Sequence, residues 1–173
     1  RVALSFPPTY SMYPEYARES FTTLVSVPRP PDFQIDMAAS TAAIEDQRPS
    51  VVLLASPNNP TGTAVSADDI AALAQATADV GGMLVVDEAY AEFRRPGQPS
   101  SVAVFADHPN MIVTRTMSKA FAGEAPRAGG TEAGKAAAVD GPPVESCIVL
   151  DCCCCCDCSG CSGAGGGCCC GGG

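Results

Sequence analysis

Three short apolar runs, Val51-Val-Leu-Leu-Ala55, Met83-Leu-Val-Val86 and Met111-Ile-Val-Thr114, recur at spacings of roughly 30 residues. That recurrence is the strongest limit on what this chain can fold into. Short apolar runs bounded by turn residues read as strands buried on both faces. Between the first two runs Ser66 opens a helix, with Asp69 three residues later in a capping-box arrangement. Ile70, Leu73, Thr77 and Val80 keep one face of that helix toward a core, and Gly81-Gly82 stops it. Strand, helix, strand at this spacing is the arithmetic of βαβ units with right-handed crossovers. The expected fold class is α/β, a doubly wound and mostly parallel sheet.

Weaker signals flank these units. Val2 to Phe6 reads as a strand entered midway, so the chain is expected to begin inside a larger protein. Tyr13 to Ser20 suits a short helix with Pro14 in its first turn, and Thr22 to Val27 is a β-branched stretch that ends at Pro28. Asp36 caps a helix over residues 37–47, which Pro49 closes. The net charge of −9 argues against nucleic acid or an anionic membrane as partner. No apolar run reaches the roughly 20 residues of a spanning helix. All 11 cysteines lie at Cys147 or beyond, so the earlier part reads as a cytoplasmic protein without disulfides.

After Phe121 the periodicity fails. Cys152 to Cys156 is a run of five cysteines, followed by Cys158-Ser-Gly-Cys161, glycine runs and Cys168-Cys-Cys170. Neighbouring side chains diverge, so a five-cysteine run cannot converge on one ion, and no histidine completes a zinc site. Repeated TGC codons shifted by one base read as alanine or leucine, and GGC shifts to alanine. Residues 124–173 are therefore expected to be an aberrant Gly/Cys-rich tail translated out of frame, and residues 1–123 the folded portion. No metal site is assigned.

Each apolar run ends in a polar cluster: Ser56-Pro-Asn-Asn-Pro-Thr-Gly62, Asp87-Glu-Ala-Tyr90 and Arg115-Thr-Met-Ser-Lys-Ala-Phe121. Ligands of open α/β sheets sit outside the carboxyl ends of the strands. An amide, a carboxylate with a phenol, and a lysine with two hydroxyls thus converge on one crevice. That set suits a pyridoxal ring. An amine forms a Schiff base, a carboxylate keeps the pyridine nitrogen protonated, and phenol and amide groups hydrogen-bond the 3-oxygen.

These segments, in this order, resemble the fold-type I aminotransferases, which use pyridoxal 5'-phosphate (PLP). Together with Phe6-Pro-Pro-Thr-Tyr-Ser-Met-Tyr13 and Asp87-Glu-Ala-Tyr-Ala-Glu-Phe93 they are most similar to the histidinol-phosphate aminotransferase family, over residues 1 to about 123. The resemblance implies that Lys119 carries PLP and moves the proton between substrate carbon and cofactor. It implies that Asp87 pairs with the ring nitrogen, Asn59 and Tyr90 hold the 3-oxygen, and Tyr10 stacks on the ring. Thr116 and Ser118 would contact the phosphate. Arg127 stands eight residues after the lysine, where the family has a phosphate-binding arginine, but in the altered context Glu124-Ala-Pro-Arg-Ala-Gly129.

The implied reaction moves an amino group between a small-molecule donor, L-histidinol phosphate, and a 2-oxo acid acceptor, 2-oxoglutarate. A homodimer is expected of the full-length family. Parts that complete the family's site are absent here, so little or no activity is expected of this chain alone. An aromatic amino-acid aminotransferase or a PLP-dependent phosphoamino-acid decarboxylase would share these motifs. A metal-holding protein using the cysteine tail is the reading from a different class. Taken singly the motifs have blander explanations: a turn at Pro57–Gly62, a helix cap at Asp87, a solvated lysine at Lys119.

Overall fold

The computed structural model describes residues 1–116 and 119, together with the backbone of residues 147–149. Its elements in chain order are β1 (Val2–Ser5), α1 (Tyr13–Glu19), β2 (Thr23–Ser26), α2 (Met37–Gln47), β3 (Val51–Ala55) and α3 (Ala67–Asp79). Then come β4 (Met83–Asp87), a 3-10 turn (Ala91–Phe93), α4 (Val102–Phe105), β5 (Met111–Arg115) and β6 (Cys147–Val149). The strands form one sheet in the order β2-β1-β3-β4-β5-β6, every described pairing being parallel. The expected parallel α/β class is what the chain adopts.

Local chemistry sets the helix boundaries. Asp36 accepts the Ala39 amide at 3.0 Å and starts α2, while Ser66 accepts the Asp69 amide at 3.1 Å and starts α3. At the end of α3 the Gly81 amide donates to Ala78 and the Gly82 amide to Thr77, the double closure of a Schellman motif. Gly81 has φ +78°, and a Cβ on Gly82 would collide with the Pro49 carbonyl oxygen. Two different constraints thus require the two glycines.

The chain leaves β1 toward one edge of the sheet and leaves β3 toward the other. Right-handed crossovers therefore place α1 on one face and α2 and α3 on the opposite face. Leu4, Val52, Leu54, Leu84, Val86 and Val113 pack beneath α2 and α3 with Ile44, Ile70 and Leu73 in one fully buried cluster. The alternate strand positions face α1, which has only seven residues. There Val51, Leu53, Val85 and Ile112 are half-buried and Met83 is 39% exposed. The apolar runs suggest burial on both faces; among the described residues only one face is sealed. The other is the floor of a cleft.

The end of α1 repeats the Schellman pattern, with Phe21 donating to Arg18 and Thr22 to Ala17. Here the left-handed position is held by Phe21, at φ 52° and 95% exposed. Its ring gains no packing while its Cβ is strained. Phe21→Gly should raise stability by about 0.5–1 kcal/mol, the released strain less the extra chain entropy of glycine. A higher urea midpoint at unchanged slope would show this, and a lower one would contradict it.

Candidate active site

The direction of the chain reverses between β1 and β3, and at such a switch point loops part to leave a crevice at the carboxyl edge. The crevice is present, with a volume of about 320 Å³. Tyr10 reaches it from the loop after β1, Asn59 from the loop after β3, and Asp87 and Tyr90 from the end of β4. Thr116 and Lys119 reach it from the segment after β5. Strand register explains the convergence, because Ala55 pairs with Asp87 and Asp87 with Thr114, so three loops start at one level.

Six of the eight sequence-predicted residues therefore line one cleft: Tyr10, Asn59, Asp87, Tyr90, Thr116 and Lys119. Ser118 and Arg127 lie outside the described residues. The Lys119 ammonium stands 5.9 Å from the Tyr90 ring centroid, within the range of a cation–π contact. Tyr10 meets Tyr13 edge-to-face at 5.5 Å, so its ring is braced from below by the first turn of α1.

Asp87 is fixed from two sides. Its Oδ1 accepts the Ala89 amide at 3.0 Å, and its Oδ2 accepts the Tyr13 hydroxyl at 3.1 Å. An ionised carboxylate offers about four acceptor directions, so further capacity remains for a donor in the cleft. Tyr13 is buried, and this burial together with the Asp87 charge pushes its phenol well above the ordinary tyrosine value. It stays a protonated donor at any ordinary pH. In the sequence Tyr13 is a motif letter and the start of a short helix, with no site role assigned to it. Its place three residues after Tyr10, across the turn that opens α1, is the available signal.

The neighbouring carboxylate has a different fate. Glu88 is 1% exposed and receives hydrogen bonds from the Ser101 amide at 2.6 Å and the Ser100 hydroxyl at 2.8 Å. Arg115 contacts it at 2.8 Å and Arg94 at 3.1 Å. Burial opposes ionisation of Glu88, but these donors outweigh it and hold the carboxyl below its ordinary range. The cluster ties residues 94–101 and the end of β5 to β4. Sequence reasoning missed it, since the partners lie six to 27 residues away without any spacing rule.

The donor set fits a pyridoxal ring: a carboxylate with spare acceptor capacity, an amide, phenols and a primary amine around one apolar-floored crevice. Residues 1–141 match the model of the family described as aminotransferase class I and II. The chain is 55% identical over 120 residues to a histidinol-phosphate aminotransferase of Thermobifida fusca (strain YX), covering 69% of this chain and 32% of that protein. It is 50% identical over 144 residues to the histidinol-phosphate aminotransferase of Bifidobacterium longum (strain NCC 2705), covering 78% of this chain and 37% of that protein. This chain spans about a third of the length of these curated relatives.

The structure of the Sinorhizobium meliloti histidinol-phosphate aminotransferase in complex with pyridoxal-5'-phosphate matches with a TM-score of 0.62 at 31% identity, over 69% of this chain and 32% of that one. That of the Clostridium acetobutylicum histidinol-phosphate aminotransferase matches with a TM-score of 0.64 at 24% identity, over 70% and 36%, a likeness of fold alone.

The Glu88 cluster makes a pH prediction. A depressed folded value means that its stabilisation is fully present above the ordinary glutamate range, about 4.3, and is lost as pH falls through the lower folded value. Glu88→Gln should cost about 3 kcal/mol near neutrality, because two guanidinium groups lose their carboxylate. It should also flatten the acid limb of the stability profile. An unchanged urea midpoint across pH would contradict the role given to Glu88.

Proposed function

Because this chain belongs to the aminotransferase class I and II family, we propose that it is the cofactor-holding centre of a PLP-dependent aminotransferase that takes L-histidinol phosphate as donor and 2-oxoglutarate as acceptor. The observation that carries the proposal is the meeting of Asn59, Asp87, Tyr90 and Lys119 on one cleft at the carboxyl edge of the sheet. The names of the relatives supply the donor, and the 2-oxo acid acceptor follows from the family resemblance. In this reading residues 1–123 are the central part of the PLP-binding large domain. Residues 124–173 are a tail read out of frame, which the nucleotide sequence from the Gly123 codon onward would test, with the family match continuing to residue 141.

The residues divide the work by chemistry. PLP, when bound, supplies an electron sink for the pair left on a substrate carbon. Asp87 is the acceptor for the protonated ring nitrogen, and a half-buried carboxylate there favours the charged ring. Tyr13 keeps one oxygen of Asp87 occupied and its plane fixed. Asn59 and Tyr90 are donors for the 3-oxygen, Tyr10 covers a ring face against water, and Thr116 is a phosphate contact. Ser118 and Arg127 are proposed as further phosphate contacts.

Lys119 would hold the cofactor through its amine and would move the proton at the substrate carbon. General-base work of this kind needs a neutral amine. Substrate choice and dimerisation are properties of the whole enzyme, of which this chain spans about a third.

The test is the visible absorbance of PLP added to the 173-residue chain. Wild type should develop a protein-dependent band, and Lys119→Ala should abolish it. Equal binding by both proteins would refute the role of Lys119.

A further inference from the structure

The two loops that flank the cleft from the β1 and β3 side belong to no ladder, yet they carry Tyr10 and Asn59. Asn58, not Asn59, joins them. It is 2% exposed, and every polar atom of its side chain is used. Its Nδ2 donates to the Pro8 carbonyl at 2.9 Å and to the Thr61 hydroxyl at 2.8 Å, and its Oδ1 accepts the Thr9 hydroxyl at 2.9 Å. Its amide donates to Thr63 and its carbonyl accepts Gly62, both at 2.7 Å, closing its own loop. The side chain therefore grips the two residues before Tyr10 while its backbone continues directly into Asn59.

The network runs on to a buried cation. The Thr63 hydroxyl donates to the Phe33 carbonyl at 3.1 Å, so in its 2.7 Å contact with Thr61 it is the acceptor. The direction is thus Asn58 to Thr61 to Thr63 to Phe33. The Phe33 carbonyl also accepts Arg29 Nη1 at 2.9 Å, and Arg29 Nε donates to the Phe6 carbonyl at 3.1 Å. Arg29 is 7% exposed, and among the described residues its side chain donates to carbonyl and hydroxyl oxygens, not carboxylates. Burial lowers its guanidinium to about 10, and it remains charged near neutrality. A buried cation bonded to three different segments is a cross-brace of loops, not half of an ion pair.

We propose that Asn58, braced by Arg29 through Thr61 and Thr63, is a positioning residue that fixes Tyr10 and Asn59 relative to each other across the cleft. It thereby sets the environment of the ring and 3-oxygen of a pyridoxal bound there. The inference rests on the PLP reading above. Asn58 does not touch the cofactor; it acts through its neighbour and through the loop it grips. A shift of that loop alters the hydrogen bond offered to the 3-oxygen, so the signature is spectroscopic.

The experiment uses the full chain, with PLP as the probe. Wild type, Asn58→Ala, Thr61→Val, Arg29→Lys and Lys119→Ala are compared for PLP affinity, for induced circular dichroism and for the pH midpoint of the visible band. Urea midpoints check that each protein is folded. Asn58→Ala should weaken PLP roughly tenfold, the loss of about one buried hydrogen-bond unit, and shift the pH midpoint. Thr61→Val, which keeps Asn58 but cuts its link to Thr63, should move both readouts the same way by less. Arg29→Lys should fall between Thr61→Val and wild type. If Asn58→Ala fails to fold, Thr61→Val decides. A Lys119-dependent band whose affinity and pH midpoint are unchanged in the folded variants overturns this inference alone. A band indifferent to Lys119→Ala overturns the PLP reading and this inference with it.

Discussion

Parallel pairing in register is the constraint from which the site follows. Ala55 lies opposite Asp87 and Asp87 opposite Thr114, so β3, β4 and β5 end together and release their loops at one height. A slip of one residue would turn every side chain to the other face of the sheet. The fully buried cluster under α2 and α3 forbids that slip, because Val52, Leu54, Leu84, Val86 and Val113 would all rotate away from it. Core packing on one face therefore fixes the chemistry on the other.

The same alternation explains why two adjacent carboxylates behave so differently. Asp87 shares its face with Val85 and opens onto the cleft, where Tyr13 and the Ala89 amide orient it and leave acceptor capacity free. Glu88 points to the opposite side, where two arginines and two serines saturate it. One carboxylate is available to a ligand and the other is committed to holding the β4–β5 connection. No buried side-chain polar atom among the described residues lacks a partner, so the polar groups under the cleft form a closed scaffold.

What the sequence reveals tracks the range of the physics. The caps at Asp36 and Ser66 are legible because capping acts over three residues, and the structure has both. The strands are legible as apolar runs, and the candidate cleft residues because they follow those runs directly. Asn58 and Asn59 are adjacent letters of equal chemistry; the family resemblance singles out Asn59, and the fold shows that Asn58 is buried beside it. The Glu88–Arg115 pair and the Tyr13 hydroxyl bond join residues 27 and 74 positions apart, beyond any periodicity. The half-covered sheet face is equally illegible, since an apolar letter does not say whether a covering layer is present.

The central claim is that the carboxyl edge of this sheet presents Lys119 to a pyridoxal ring held by Asp87. The most direct measurement is peptide mass mapping after PLP is added to the chain and the adduct is fixed with borohydride. Lys119 is the one lysine expected to be modified, with labelling that falls sharply in Asp87→Ala. Labelling spread over Lys119 and Lys135 alike, and indifferent to Asp87, would contradict it.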